Sequence, residues 1–266
     1  MPSLLRIPKV QLALVLFVIF LTTLTSYPLL PILSLLLICL VLTVSFDLFF
    51  LYLKLRRVFV PHAAVVTGLI ISLLVNPAAP WYYIAAVAAV AMATKNFLRV
   101  WGRHVFNPAA MGLFAAGIIL REPVAWWGTS FQSVAQPTIQ NILTLPALFL
   151  PVFVSGFRLR RHLSILAFLA LYSIIPFVMT AGISLSSIVV RLLNPTVIFF
   201  ATVMLPEPMT SPSHPKRQVA FGAIVAIFVG MLSYPPLTTA LASMNLLPDI
   251  FIPALLLGNL LFFKLK

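Results

Sequence analysis

Residues Trp81–Leu120 read WYYIAAVAAVAMATKNFLRVWGRHVFNPAAMGLFAAGIIL. Two apolar runs, 81–95 and 108–120, flank a segment that holds Lys95, Arg99 and Arg103, and the second run opens on Asn107-Pro108. Runs this apolar suit helices in hydrocarbon, where a straight crossing needs about 20 residues. Proline at the first helical position costs nothing, because the amide it lacks has no partner there. The stretch therefore predicts one helix, a basic connection, and a second helix too short for a simple crossing.

The same pattern recurs along the chain. Candidate spans lie at 11–26, 31–53, 63–76, 81–95, 108–120, 142–157, 163–182, 188–205, 218–233 and 237–263. The third and fifth are bounded by Asn76-Pro77 and Asn107-Pro108, and Pro248-Asp249 predicts a kink or split in the last. About ten transmembrane helices follow, some of them broken, in an all-α integral membrane protein. Composition agrees: 62% of the 266 residues are hydrophobic and 8% charged, where a soluble domain is about one quarter charged. A soluble enzyme, a disordered chain and a disulfide scaffold are excluded, the last also because Cys39 is the single cysteine. Arg6 and Lys9 precede the first run without a small-residue cleavage site after it, so that run reads as a retained span.

The charges orient the spans. Seventeen Lys and Arg against four Asp and Glu give a net charge of +13. In a soluble protein that balance would suggest nucleic acid; here the basic loops lack interleaved aromatics. Arg6, Lys9, Lys54, Arg56, Arg57, Lys95, Arg99, Arg103, Arg158, Arg160, Arg161, Lys216, Arg217, Lys264 and Lys266 all fall on one side of a ten-span chain. Only Arg121 and Arg191 fall on the other. The positive-inside rule then places both termini in the cytoplasm of a cell (inner or plasma) membrane. Trp126 and Trp127 read as an outer-interface aromatic belt.

One polytopic domain, 1–266, accounts for the whole chain, with a weak internal echo between about 1–125 and 140–266. Thr67-Gly68 and Asn76-Pro77 in the first half are matched by Asn194-Pro195 and a Pro-rich turn in the second. Broken helices at matching places point to a site at a repeat interface; the alternative is that Pro and Gly are simply common in membrane helices.

Few side chains can carry chemistry. Asp47 lies near the end of the second span, within two turns of Lys54, Arg56 and Arg57; it is either a cytoplasm-end ion pair or an ion-path carboxylate. Glu207 sits in Pro206-Glu207-Pro208-Met209-Thr210-Ser211-Pro212, which cannot be regular helix and is either a plain turn or the lining of a polar cavity. Glu122 beside Arg121 reads as an exposed pair, and Asp249 as a half-helix cap. His62, His104, His162 and His214 are too scattered for a metal site and read as interfacial. No phosphate loop or nucleophile motif is present.

At Lys95-Asn96-Phe97-Leu98-Arg99-Val100-Trp101-Gly102-Arg103-His104-Val105-Phe106-Asn107-Pro108 the chain resembles the membrane flavoprotein family NqrB/RnfD, subunits of the Na⁺-pumping NADH:quinone reductase and of the Rnf complex. Val66-Thr67-Gly68-Leu69 with Asn76-Pro77, the 206–212 turn, and Arg217 with Phe221-Gly222-Ala223 are similar to further family motifs, in order, across most of 50–263. The resemblance implies two related five-helix halves, distantly similar to urea and ammonium channels. It also implies electron transfer through flavin, with Na⁺ or H⁺ translocation, beside other membrane subunits. FMN in the family is esterified to an outer-loop Thr, and some members also hold riboflavin.

This chain's outer loop, Trp126 to Thr138, lacks the family's Ser-Gly-Ala-Thr; Thr138 is the nearest positional candidate for covalent FMN and Thr129 the next. Two positions where the family commonly has Asp read Pro61-His62 and Glu207 here. Arg103, Asn107, Thr210 and Ser211 are the expected cofactor contacts, and Asp47 and Glu207 the ion-path candidates. The alternatives are a flavin-free channel or transporter on the same scaffold, and a structural anchor for redox subunits.

Overall fold

In the computed structural model, which describes residues 6–57, 59–129, 139–179 and 184–265, each candidate span contains helix. The first five helices are α1 (Pro8–Thr23), α2 (Leu29–Leu55), α3 (His62–Leu74), α4 (Trp81–Phe97) and α5 (Pro108–Leu120). A two-stranded hairpin, β1 (Arg99–Val100) and β2 (Arg103–His104), joins α4 to α5. Then come α6 (Ile139–Pro151), continued by a π-helical turn over Val152–Arg158, α7 (His162–Met179), α8 (Leu185–Leu192) and α9 (Pro195–Phe199), continued by a second π-helical turn over Phe200–Met204. The chain ends with α10 (Pro215–Leu232), α11 (Pro235–Ser243) and α12 (Phe251–Phe262).

Length separates these helices. Among the described residues, α2 and α10 are long and apolar enough to cross a membrane alone. The pair α8 and α9 with its π turn is a third candidate, bent by 55° at the break. The single helix expected over 188–205 is thus two helices. The reason is local: Asn194 and Pro195 start a new helix, with Asn194 Oδ1 accepting from the Thr196 amide at 2.9 Å. The run 237–263 is likewise two helices, α11 and α12. Asp249 caps the second, accepting from the Ile252 amide at 2.8 Å. At 1.5 Å per residue, α3 and α5 rise only about 20 Å, short of the roughly 30 Å core.

In the first half α2 packs on α3 and α4, and α4 on α5; in the second α7 packs on α10, and α10 on α12. The halves meet where α1 lies against α6 and α5 against α12. Two crossings depend on glycine. A Cβ on Gly112 would stand 2.4 Å from the Val87 carbonyl oxygen of α4, and one on Gly222 would stand 2.3 Å from the Ser164 oxygen of α7. Backbone approaches this close drive helix association in lipid, where packing replaces the hydrophobic effect.

The short helices leave space that the segment after α5 fills. Trp126 and Trp127 are buried, not arranged as an interfacial belt. Trp127 meets Phe20 and Tyr27 edge-on and donates its indole N–H to the Ser72 oxygen at 2.8 Å. Trp126 packs on Phe199 and Phe251 and donates to Asp249 at 3.1 Å. The amides of Ala125 and Trp126 donate to the Leu74 oxygen, and that of Gly128 to the Leu73 oxygen. The rings are drawn inward because α3 stops inside the bundle, leaving both a void and unpaired carbonyls.

Enlarging Gly112 tests the α4–α5 crossing. Gly112→Val should lower stability by about 1–3 kcal/mol through overpacking, read as a lower unfolding temperature in detergent, while Met111→Leu on the half-buried flank should change it little.

Candidate functional site

The half-helix starts and the irregular turn converge on one cavity. It has a volume of about 430 Å³ and mostly apolar walls from α1, α3, α5 and the 206–209 turn. Its polar lining comes from distant parts of the chain: Lys9, Thr67 on α3, Lys95 on α4, His104 on β2, Asn107 at the head of α5, and Glu207. Small-molecule sites of about 300–1,000 Å³ have this make-up, apolar walls with a few placed polar groups.

The hairpin delivers one of these residues, His104. Trp101 and Gly102 form a two-residue turn with φ of 48° and 78°, the geometry that matches strand twist. This folds Arg103 and His104 back toward the bundle. His104 is buried, and burial, followed by the Arg99, Lys95 and Lys9 charges, holds its pKa down at about 3. Burial among like charges therefore favours the neutral imidazole. Arg103 is half-buried and does not line the cavity.

Asn107 ties the two halves together. Its side chain accepts from the Ala110 amide at 3.1 Å and donates to the Met204 oxygen at 3.3 Å, while its own amide donates to Asn259 Oδ1 on α12 at 2.9 Å. Asn259 is fully buried. It has no counterpart among the expected site residues, although a lone Asn in an apolar helix is a visible signal.

Asp47 is paired, but its partners differ from those expected. Lys95 Nζ lies 2.6 Å from Oδ2 and Asn96 Nδ2 donates to Oδ1 at 2.9 Å. Lys54, expected nearby, instead donates to the Asn96 carbonyl at 2.7 Å. The correction follows from burial: Asp47 faces α4, with 1% of its side chain exposed, whereas Arg56 and Arg57 lie beyond the helix end and are exposed.

In the Pro-rich turn Glu207 borders the cavity while Thr210 and Ser211 lie behind it, fully buried. Thr210 donates to Glu207 Oε2 at 2.7 Å, and the Ser211 amide donates to the Glu207 oxygen at 2.8 Å. Arg161 braces the turn by donating to the Pro212 oxygen at 2.8 Å; burial, then the nearby Arg103 charge, pushes its pKa down. Thr129 is buried and donates its hydroxyl to the Trp126 oxygen at 3.1 Å, so it does not present a free hydroxyl. Thr138 lies outside the described residues. Among the described residues there is no cluster of three His, Cys, Asp or Glu suited to a metal.

Several of the basic segments touch one another or a neighbouring segment. Arg158 donates to the Arg6 carbonyl, Lys54 to that of Asn96, and Gln218, on the first turn of α10, to that of Arg160. Arg121 and Glu122 instead meet Pro248 and Asn245 around a separate cavity. Glu122 there is half-buried rather than an exposed partner of Arg121.

Residues 6–153 match the model of the NQR2, RnfD, RnfE family, more than half of the chain. That range holds the Thr67-Gly68 and Lys95–Pro108 motifs; the 206–212 turn lies beyond it. No curated protein matches the chain.

Removing Asp47 alone should be costly. Asp47→Leu strands the Lys95 ammonium and should lose about 3–5 kcal/mol, most of it recovered in Asp47→Leu/Lys95→Met, measured by thermal unfolding in detergent. His104 sets a pH dependence. Its folded pKa is below the usual 6.5, so the unfolded chain binds the extra proton and stability falls as pH drops through about 6.5 toward 3. A melting series from pH 7.5 to about 4.5 should show this fall, and His104→Gln should flatten it.

Proposed function

The chain belongs to the NQR2, RnfD, RnfE family, membrane subunits of redox complexes, and from that premise we propose that it holds flavin in the cavity between α1, α3, α5 and the 206–209 turn and passes electrons between partner subunits. The observation that carries this reading is the convergence of Thr67, Lys95, His104, Asn107 and Glu207 on a single cavity of about 430 Å³. Its apolar walls suit a planar ring system, and the rim of donors and acceptors suits the ring's polar edge. The flavin supplies the electron-carrying chemistry when bound; the protein orients it and tunes its potential through hydrogen bonds and nearby charge. Riboflavin or FMN held without a covalent bond fits this cavity, and Thr138 is the proposed attachment residue for a covalent FMN.

In this reading the helices form about ten crossings in two related halves. The contacts of α1 with α6 and of α5 with α12 support a two-fold relation between them. The basic segments face the cytoplasm of the cell membrane, as the positive-inside rule demands, together with both termini. Translocation of Na⁺ or H⁺ would draw on Asp47 and Glu207 as its charged groups. The short α3 and the break between α8 and α9 favour a second reading, a flavin-free channel or transporter with substrate between the halves.

Flavin content separates the two. Protein purified in detergent should show the flavin absorption bands, and Val66→Trp, which fills the cavity from α3, should lower flavin per protein several-fold while the unfolding temperature holds. Absence of flavin from the wild-type protein would sink the first reading. Fluorescence on a denaturing gel that survives boiling, and is lost in Thr138→Ala, would establish the covalent bond.

A further inference from the structure

Lys95 is the one residue that both borders the cavity and belongs to the buried ion pair with Asp47. Its side chain is 11% exposed, its ammonium lies 2.6 Å from Asp47 Oδ2, and Asn96 holds the other carboxylate oxygen at 2.9 Å. Lys54 anchors this end of α4 by donating to the Asn96 carbonyl. Asp47 and Asn96 therefore fix the lysine on the cavity wall. Lys9 adds a second positive charge to the lining, and Glu207 a negative one.

We propose that Lys95, positioned by Asp47, is the electrostatic element that raises the reduction potential of the ring bound in this cavity. The inference rests on the flavin reading above and deepens it. Uptake of two electrons from a reduced carrier, with one proton from water, leaves one negative charge on an isoalloxazine ring. An ammonium already held at the wall favours that charged form over the neutral oxidised one, and in a mostly apolar cavity the attraction is weakly screened. Asp47 is not among the residues that line the cavity, so Lys95 is the member of the pair that borders it. Holding the charge in place beforehand avoids reorganisation when the ring is reduced. The separation of roles is chemical: Lys95 faces the ligand, and Asp47 and Asn96 act through it.

The test is a dithionite titration of the flavin-loaded protein, following the flavin bands to give a midpoint potential, on wild type, Lys95→Arg, Lys95→Gln and Asp47→Asn/Lys95→Gln. Lys95→Arg should keep the wild-type potential, because the charge remains. Lys95→Gln should weaken binding of reduced relative to oxidised flavin by about tenfold, a fall of about 30 mV for a two-electron couple. The double variant, which leaves no unpaired buried charge and so folds if the single one does not, should fall likewise. Flavin-loaded Lys95→Gln or double variant at the wild-type potential would overturn this inference and leave the flavin reading standing. A wild-type protein without flavin would overturn both.

Discussion

A carbonyl or amide left unpaired in hydrocarbon costs several kcal/mol, and that constraint organises this molecule. The helix α3 ends at Leu74 with its last carbonyls inside the bundle. The Ser72, Leu73 and Leu74 oxygens are all satisfied by the 125–128 segment, through three amides and the Trp127 indole. Meeting those acceptors pulls two tryptophans into the interior, where they also fill the space beside α1, α9 and α12. At the opposite ends, Asn107 and Asn194 cap helices that begin at proline. The end of α3 is thereby matched by a distant segment, and the starts of α5, α9 and α12 by polar side chains beside them.

The cavity is a consequence of the same breaks. A full-length helix in place of α3 and the α5 start would close it. Because those helices are short, Thr67, Asn107 and the 206–209 turn reach the same space. The hairpin turn at Trp101–Gly102 then brings His104 to its edge. The polar lining is sparse, and three of its members are held by partners outside the cavity: Lys95 by Asp47, Asn107 by Asn259 and Met204, Glu207 by Thr210. Such support is what keeps a site's geometry narrow enough to orient a ligand.

Much of the architecture was legible beforehand. The apolar runs hold the helices, although 188–205 and 237–263 each hold two, Asn107-Pro108 and Asn194-Pro195 start two helices, and Asp249 caps α12. Local chemistry decides these features, so neighbours in sequence suffice to read them. The site was less legible. Asn107 and Glu207 border the cavity, yet Arg103, Thr210 and Ser211 stand outside its lining, and Lys95 and His104 were overlooked as members. Distances along the chain explain this: which face a residue turns to a distant helix is not written in its immediate neighbours.

Asp47 and the two tryptophans mark the boundary. The sequence by itself determined that the chain is a helical membrane protein of the NQR2, RnfD, RnfE family. Hydrocarbon leaves an open chain only the helix as a way to pair its backbone groups, and long apolar runs are visible in the sequence itself. Tertiary structure alone decided that Asp47 pairs with Lys95, 48 positions away, rather than with the basic cluster just beyond it. It also decided that Trp126 and Trp127 serve the interior rather than the interface. Both outcomes depend on which orphaned group lies within hydrogen-bond reach once the helices have packed, and that is a property of the packing.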